Sequence, residues 1–379
     1  MGDFSPYSLF LLFFISFTFN SLNFSYGDLG EAEWINVKDD DEYNMVQNGI
    51  TSLKKCDLSS GIWVYDQSYP LYDSGCPYLS TRVSCQQNGR PDTDYEKWRW
   101  KPHGCSIPRF HALDFLAKMR MKRIVLVGDS IMRNQWESLV CLVEAVIPPE
   151  RKMVTYNGPT MSFHALDFET SIEFSWAPFL VEIKEGSKKE RILHLDSIEV
   201  NARFWRGADI LVFDSAHWWT HSSKWSSWDY CMEGQSVLRN LNPMIAYEKG
   251  LTTWAKWIDL NLNPQRTQVI FRSISPQHNR ETGWKCYNQR KPLGYFSHKL
   301  HVPEQLIVLQ GVLRKMNFPV YLQDITRISA FRRDGHPSVY ARALDEKDRL
   351  HHKDYTSDCS HWCLPGVPDI WNEMLNALL

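Results

Sequence analysis

A Gly-Asp-Ser sequence, Gly128 to Ser130, follows the apolar segment Arg123–Val127 and precedes a segment with the pattern of a helix. A serine at a helix start lies among free backbone N–H groups, whose partial positive charge favours a nearby anion. Gly128 lets the backbone turn sharply and approach a reacting group. Ser130 is therefore a candidate nucleophile, which requires a base and an acid that orients the base. The alternative is that Asp129 or Ser130 only caps the helix.

The candidate base lies near the C-terminus, in the sequence DCSHWC that begins at Asp358. An acid three residues before a histidine on a short loop can bond one ring nitrogen of His361 and leave the other for a serine. Disulfides at Cys359 and Cys363 would hold this loop firmly, as a catalytic loop requires. The sequence therefore offers Ser130, His361 and Asp358 as a catalytic triad.

Other interpretations of these histidines remain open. His361 could be a structural histidine in a disulfide-rich loop, or the cysteines around it could bind zinc. No second cysteine pair has the matching spacing, and thiols of secreted proteins tend to oxidise, so we expect no metal. Asp334 and His336 form a rival acid–base pair, whose tighter spacing suits a triad less well.

Polar and aromatic side chains follow two further predicted strands. Asp214 and His217 come after one strand, and Trp218 and Trp219 could form the floor of a sugar site, although one of the two is expected in the core. Arg272 and His278 end the next strand and could reach the rim of the site. The sequence thus predicts as oxyanion or substrate-binding residues Gly128, Asp129, Arg133, Asn134, Asp214, His217, Trp218, Trp219 and Arg272.

The elements that must position these residues alternate between strand-like and helical patterns from Lys122 onward. This alternation predicts a parallel sheet covered by helices on both faces, with ligands bound beyond the carboxyl ends of the strands. The predicted strands are Arg123–Val127, Ile172–Val181, Ile192–Ile198, Ile210–Phe213, Gln268–Phe271 and Val320–Leu322. The predicted helices cover about residues 131–146, 244–262, 302–316 and 370–378.

Composition narrows the class of protein. Of 379 residues, 43% are hydrophobic and 23% charged, which is typical of a globular chain and argues against wholesale disorder. A formal net charge of −2 gives no reason to expect a nucleic-acid partner, which would require a basic face. Sixteen tryptophans raise the question of a flat apolar partner such as a sugar ring.

The first 27 residues contain a dense apolar run, Leu9–Phe19, which fits a signal peptide or a signal anchor. The acidic residues 28–55 are expected to form a stalk or linker. The chain is therefore expected in the secretory pathway, where nine cysteines would form up to four disulfides and leave one thiol. Residues 56–109, dense in Cys, Gly, Pro and aromatics, are predicted to be a small disulfide-rich module.

Three sequence blocks carry a resemblance to a known family. CDLSSGIWVYDQSYPLY with NGRPDTDYEKWRWKP, VGDSIMRNQWESL and DCSHWCLPGVPDIWNE together resemble the plant trichome birefringence-like family of cell-wall polysaccharide O-acetyltransferases. The resemblance implies an SGNH/GDSL-esterase-like α/β/α domain at residues 110–379, in which Ser130 carries the acetyl group. It also implies the disulfides Cys56–Cys105, Cys76–Cys141, Cys85–Cys363 and Cys286–Cys359, which leave Cys231 unpaired.

One departure from the family pattern bears on the substrate. Many members have Asn-Thr-Gly where this chain has Asp214, Ser215 and Ala216. A carboxylate would repel a developing oxyanion unless it is protonated or turned away, so backbone N–H groups of Ser130 and a neighbouring loop would have to serve. The Asp-Ser-Ala version resembles the pectin-linked branch that includes the powdery-mildew-resistance protein. Pectin is therefore the first expected substrate, and xylan or another hemicellulose the second.

The resemblance implies no bound cofactor, and an acetyl donor such as acetyl-CoA would be a co-substrate. The apolar N-terminal segment is the only expected contact with the membrane. If it is retained as an anchor, we expect a single-pass type II protein of the Golgi membrane or a protein of the Golgi lumen; if it is cleaved, the alternative is secretion to the cell wall. Two other functions stay open: an acetylesterase, which would use the same triad with water as acceptor, and a non-catalytic protein that bridges pectin through Trp218, Trp219 and the cysteine-rich module.

Overall fold

The structure is a computed structural model that describes residues 56–221, 226–278, 285–293, 302–344 and 357–379. The predicted leader and the acidic segment, residues 1–55, lie outside the described residues. Within the described ranges, no helix combines the length and apolarity needed to cross a membrane.

The described elements alternate between strands and helices over most of the chain. The strands are β1 (Gly61–Tyr65), β2 (Trp98–Pro102), β3 (Arg123–Gly128), β4 (Lys152–Asn157), β5 (Thr160–Ala165), β6 (Thr170–Trp176), β7 (Glu182–Glu185), β8 (Arg191–His194), β9 (Ile210–Phe213), β10 (Tyr230–Glu233), β11 (Ser236–Leu238), β12 (Gln268–Arg272) and β13 (Val320–Gln323). The α-helices are α1 (Ala112–Lys118), α2 (Ser130–Glu144), α3 (Glu199–Ala202), α4 (Pro243–Asn261), α5 (Glu304–Leu313), α6 (Thr326–Ala330) and α7 (Val367–Leu378).

The central sheet has seven strands in the order β13-β12-β9-β3-β6-β5-β4. The five strands from β13 to β6 are parallel, whereas β5 and β4 pair antiparallel. The sheet is therefore mixed rather than wholly parallel. The physical reason is the short connections, since only two residues separate β4 from β5, and parallel neighbours need a crossover of a dozen or more residues.

Two predicted strands end earlier than their apolar patterns suggest. The strand predicted over Ile172–Val181 ends at Trp176, two residues before Pro178, and the chain resumes as β7. The strand predicted over Ile192–Ile198 ends at His194. Both β7 and β8 belong to a separate four-stranded sheet of order β11-β10-β8-β7, which the sequence did not indicate.

Helices cover both faces of the central sheet. Val125 and Val127 of β3 pack in one core with Trp254 of α4, and Leu126 packs in the other core with Trp136 of α2. Alternate side chains of a strand point to opposite faces, so the apolar run of β3 supplies both cores. The predicted three-layer α/β/α arrangement is thus confirmed, with β3 at its centre.

The N-terminal module contains the hairpin β1–β2 and is bonded covalently to the rest of the described chain. Four disulfides are present, Cys56–Cys105 within the module, Cys76–Cys141 to α2, Cys85–Cys363 to the loop before α7, and Cys286–Cys359. These are the pairs that the family resemblance implies. Cys231 is a buried free thiol, and burial raises its pKa to about 12.

Candidate active site

The turn from β3 into α2 places Ser130 at the first position of a helix, at the carboxyl edge of the sheet. Asp129 is the helix cap, and its carboxylate accepts a hydrogen bond of 2.8 Å from the N–H of Ile131. Gly128 is required by space, since a Cβ there would collide with the carboxylate of Asp214. Capping therefore explains Asp129, and the hydroxyl of Ser130 is left for another partner.

That partner is the imidazole of His361, 231 positions further along the chain. Its Nε2 lies 2.8 Å from Oγ of Ser130, and its Nδ1 lies 2.9 Å from Oδ2 of Asp358. Because a carboxylate can only accept, Nδ1 carries the ring proton and Nε2 is free to accept the serine proton. The three residues predicted as a triad are thus connected by hydrogen bonds in the order Ser130, His361, Asp358.

The carboxylate of Asp358 is held in its ionised form. Burial by itself would raise its pKa, but hydrogen bonds from the His361 side chain and from the backbone N–H groups of Ser360 and His361 keep the pKa below its usual range. An ionised Asp358 can stabilise the imidazolium that forms when His361 takes a proton. Hydrogen bonding prevails over desolvation at this carboxyl.

The rival acid–base pair, Asp334 and His336, is bonded to groups other than Ser130. Asp334 is buried and bonded to Arg332 at 2.9 Å, and Nδ1 of His336 lies 2.6 Å from the carbonyl oxygen of His361. Within the part of the chain that the structure describes, neither side chain forms a hydrogen bond with Ser130. Asp334 and His336 are therefore not the base for Ser130.

The zinc interpretation fails on the state of the sulfur atoms. Cys359 and Cys363 are both in disulfides, so neither can supply the thiolate that zinc binds. In the described ranges, no group of three or more His, Cys, Asp or Glu side chains is arranged to hold a metal ion.

Asp214 and Arg272 form a buried ion pair under the Gly-Asp-Ser turn. Oδ2 of Asp214 accepts from Nη2 of Arg272, and Oδ1 accepts from the N–H of Asp129 at 3.1 Å. Nη1 of Arg272 donates to the carbonyl of Ile131 and to Gln135, each at 3.2 Å. Arg272 was expected at the rim, but it is 1% exposed, and burial lowers its pKa to about 10. Both oxygens of Asp214 are engaged, so the pair supports the turn.

Asn134 was expected to face the site, but its side chain is buried and binds backbone instead. Its Oδ1 accepts from the N–H of Trp362 at 2.7 Å, and its Nδ2 donates to the carbonyl of the same residue at 3.1 Å. The prediction of a substrate contact is therefore wrong, because the amide holds the residue next to His361. Arg133 remains partly exposed, with Nε bonded to Glu137 at 2.8 Å.

The two tryptophans after β9 differ in their surroundings. Trp219 is 1% exposed, packs against Tyr247 and donates to Ser215 at 2.8 Å, so its predicted sugar contact is wrong. Trp218 is half-buried and packs edge-on against Trp176. One indole of the pair is core, as the sequence led us to expect, and the other remains available at the sheet edge.

His217 is buried beside these tryptophans, close enough to Asp129 and His361 for their charges to affect its pKa. Its Nε2 lies 2.7 Å from the carbonyl of Ser275, so Nε2 carries the proton. Burial lowers its pKa, with an opposing effect from the charge of Asp129. The ring is therefore neutral. His278, the other candidate for the rim, is buried against His336 instead.

Sequence reasoning missed one residue close to the site. Arg90, in the Asn-Gly-Arg-Pro segment of the cysteine-rich module, donates to the carbonyl oxygens of Asp334 and His336. The only signal in the sequence is an arginine within a disulfide-rich segment, which does not tell where its side chain goes. Nothing in its spacing from His361, 271 positions away, could have indicated the contact.

Comparison with known proteins assigns this geometry to a family. Residues 107–378 match the GDSL/SGNH-like acyl-esterase family found in Pmr5 and Cas1p, and residues 54–106 match the PMR5 N-terminal domain. The chain is 63% identical over 351 residues to protein trichome birefringence-like 36 of Arabidopsis thaliana, with 91% of each chain covered. The chain belongs to the trichome birefringence-like family.

Other members of the trichome birefringence-like family in Arabidopsis thaliana are similar over nearly the same length. Trichome birefringence-like 43 and 40 are each 41% identical over 341 residues, which cover 87% and 88% of this chain and 90% of theirs. The expected family and the SGNH-like fold are confirmed. Membership in the trichome birefringence-like family supports acetyl transfer to a polysaccharide, or the corresponding esterase activity.

Proposed function

We propose that the protein is a plant cell-wall polysaccharide O-acetyltransferase that works through an acetyl-serine intermediate. The proposal depends on one observation: Ser130 is hydrogen-bonded to His361, and His361 is hydrogen-bonded to Asp358, although Ser130 lies far from the other two in the chain. A nucleophile within hydrogen-bond reach of a base, with a third group that orients the base, is the geometry of covalent acyl chemistry. The family's acyl-esterase domain supports the same chemistry.

The first step forms the acetyl-enzyme. His361 takes the proton of Ser130 on Nε2 while Oγ attacks the acetyl carbonyl carbon of the donor. The tetrahedral intermediate then collapses, the bond to the donor's leaving group breaks, and His361 returns the proton to that group. Asp358 stays ionised throughout and stabilises the imidazolium.

The second step transfers the acetyl group to the polysaccharide. His361 takes the proton of a sugar hydroxyl, the hydroxyl oxygen attacks the acetyl carbonyl, and the ester bond to Ser130 breaks as Oγ regains a proton. The products are an acetylated sugar and the free enzyme. Neither step requires a bound cofactor, and acetyl-CoA is a suitable donor.

The oxyanion of both steps needs donors other than Asp214, whose carboxylate is bonded to Arg272 and to the N–H of Asp129. The N–H of Ser130, at the first position of α2, has no acceptor among the described residues and is placed to donate to an oxyanion. Gly128 leaves room for the Asp214 carboxylate, which accepts from the N–H of Asp129 and so supports this turn. We assign oxyanion binding to the backbone.

For the acceptor we propose pectin first and xylan second, with Trp218 and Arg133, which stay partly exposed, as sugar contacts. We further propose residues 1–27 as leader or anchor, 28–55 as linker, 56–109 as module and 110–379 as catalytic domain. The chain would then act in the Golgi, or in the wall if the leader is cleaved.

Hydrolysis is the second candidate, because the matched family is described as acyl-esterase. The two activities share Ser130, His361 and Asp358, and they differ only in whether sugar or water accepts the acetyl group. Incubation of the purified protein with acetylated pectin alone separates them. Rapid acetate release identifies an esterase, and ester formation on de-acetylated pectin with a donor present identifies a transferase.

A Ser130→Ala variant tests the proposal in the same assay. It removes only Oγ, so the fold is expected to stay intact while ester formation falls by about 10⁴-fold or more. Full transfer activity in this variant would exclude the acetyl-serine mechanism.

A further inference from the structure

One buried guanidinium connects the N-terminal module with the loop that carries His361. The side chain of Arg90 is 4% exposed and is paired with Asp92 of the module at 3.0 Å. Its Nη2 donates to the carbonyl of Asp334 at 2.7 Å, and its Nη1 donates to the carbonyl of His336 at 3.0 Å. The same Nη1 lies 3.3 Å from Sγ of Cys363, two residues after His361. Arg90 thus spans two segments of the catalytic domain.

The imidazole of His336 continues this connection to the catalytic base. Its Nδ1 donates to the carbonyl oxygen of His361 at 2.6 Å, and its Nε2 lies 2.7 Å from Nδ1 of His278. The ring also stacks on the indole of Trp362, with 4.0 Å between centroids. His336 is 2% exposed, and it is held by the hydrogen bond from Nδ1 and by the stacking of one face on Trp362, so its position fixes the backbone of His361.

Contacts on the other side of the loop come from α2. Asn134 binds both backbone groups of Trp362, so the peptide units around His361 are held from the helix and from His336 together. The base must keep Nε2 within reach of Ser130, and a displacement of about 1 Å in a catalytic group can cost about 100-fold in rate. The described residues of the loop, 357–366, form no helix or strand that could fix this distance, only an isolated bridge between Asp358 and Ser338.

We propose that Arg90 and His336 are positioning residues for His361, so that the cysteine-rich module acts in catalysis by holding the loop of the base. The inference rests on the proposed acyl transfer by Ser130. Arginine is suited to this role, because its planar guanidinium has several N–H groups in a fixed arrangement. Nη1 and Nη2 bind the two carbonyl oxygens, while Nε and Nη2 also bind the carboxylate of Asp92. The charge and the N–H donors of a lysine are concentrated on one nitrogen, so lysine cannot bind both carbonyl oxygens in the same geometry.

The test uses the purified full chain and a fluorophosphonate, a reagent that reacts with serines activated by a base. The rate of Ser130 labelling is compared in the wild type, Arg90→Lys and a matched control, Arg99→Lys. Arg99 lies in the same module, but its salt-bridge partner Asp66 is also there, 2.9 Å away. We expect labelling to fall about 10- to 100-fold in Arg90→Lys and to stay unchanged in the control.

A second pair of variants separates positioning from a general loss of packing. His336→Asn keeps an N–H donor near the position of Nδ1, whereas His336→Leu has a similar shape and no donor. We expect His336→Asn to keep the labelling rate within about threefold, and His336→Leu to lose as much as Arg90→Lys. In a transfer assay the loss is expected in kcat, with KM for the polysaccharide unchanged, because no proposed sugar contact is altered.

The outcomes separate this inference from the proposed function. Labelling of the wild type that is absent, or equal in Ser130→Ala, contradicts both. Labelling that depends on Ser130 but is equally fast in folded Arg90→Lys, or equal in His336→Asn and His336→Leu, contradicts the positioning role alone. If Arg90→Lys does not fold, the two His336 variants decide.

Discussion

Asp358 determines which nitrogen of the His361 ring can act as the base. The carboxylate accepts the Nδ1 proton at 2.9 Å and so leaves Nε2 to face Ser130 at 2.8 Å. Its pKa lies below the usual range, so the carboxylate stays ionised across the pH range of the secretory pathway. The orientation of the base is therefore insensitive to moderate acidification.

We expect Asp358→Asn to lower the transfer rate by about 10⁴-fold with little change in KM. The amide removes the charge and can favour the wrong ring tautomer, while the side chain keeps its size. Steady-state kinetics with circular dichroism as a check on folding would measure this. A variant that kept more than a tenth of the wild-type kcat would show that Asp358 does not orient His361.

Asp214 supports the turn through its charge. Replacement by asparagine leaves Arg272, which is 1% exposed, without its counter-charge. Removal of one partner of a buried pair costs about 3–5 kcal/mol, so Asp214→Asn should lower the free energy of unfolding by about that amount. Chemical denaturation of Asp214→Asn, Arg272→Met and the double variant measures the coupling. Additive losses in the double variant would mean that the two side chains act independently.

At the level of single residues, the sequence could predict which side chains have the chemistry of a catalytic site, but not where each side chain points. Ser130, His361 and Asp358 are recognisable because a nucleophile, a base and an acid each occur in a motif. Arg272 and Trp219 follow strands as expected, yet both point into buried layers. Sequence position places a residue at a strand end, while the choice between rim and core depends on partners such as Asp214 that are remote in the chain.

At the level of elements, α2 supplies both the nucleophile and a clamp on the loop of the base. Ser130 and Asn134 are four residues apart and therefore lie on one face of the helix. Through Asn134, the helix fixes the backbone of Trp362, next to His361. The distance between nucleophile and base is thus set from a single rigid element.

We expect Asn134→Ala to lower the unfolding free energy by about 2 kcal/mol, because two buried backbone groups lose their partner. It should also lower kcat by about 10- to 100-fold. Asn201→Ala is a matched control, since the Asn201 amide also binds two backbone groups. It donates to the carbonyls of Leu180 and Val181, which are not among the residues of the site. Equal kcat values in the two variants would argue against the clamp.

Element boundaries followed from the sequence where one pattern was unambiguous. The strand Ile210–Phe213 was predicted with its exact bounds, and α4 was predicted within one residue at each end. The antiparallel edge formed by β4 and β5 was missed, because neither strand has a long apolar run. The register and direction of such strands depend on short connections and on the neighbour β6, which a local pattern does not reveal.

At the scale of the whole molecule, the module and the catalytic domain behave as parts of one site. Two disulfides, Cys76–Cys141 and Cys85–Cys363, join them covalently. Arg90 adds hydrogen bonds at the second of these connections. Composition predicts a disulfide-rich module, and the family resemblance implies the disulfides that join it to the catalytic domain. The hydrogen bonds of Arg90 to residues more than 240 positions away could be inferred from neither.

Burial of a module carboxyl should make stability depend on pH. Burial raises the pKa of Glu96 to about 7 from an ordinary value of 4.5, and its Oε1 has no hydrogen-bond partner among the described residues. Between these two pH values the folded protein holds a proton that the unfolded chain has lost. The contribution of Glu96 to stability is therefore full below about pH 4.5 and is lost as the pH rises through about 7.

We expect the unfolding free energy of the wild type to fall relative to Glu96→Gln over this range, by at most about 1.4 kcal/mol per pH unit. Glutamine keeps the shape and does not titrate. Urea denaturation of both proteins at several pH values between 4.5 and 8 measures the difference. Parallel pH profiles for the two proteins would show that Glu96 is ionised in the folded state.

The most direct test of the acetyl-serine proposal is the intact mass of the protein after brief incubation with acetyl donors in the absence of polysaccharide. We predict a gain of about 42 Da, one acetyl group, that maps to Ser130, disappears when acceptor polysaccharide is added, and is absent from Ser130→Ala. Transfer of acetyl groups to the polysaccharide at the wild-type rate by Ser130→Ala, or an adduct that persists in that variant, would contradict the proposal.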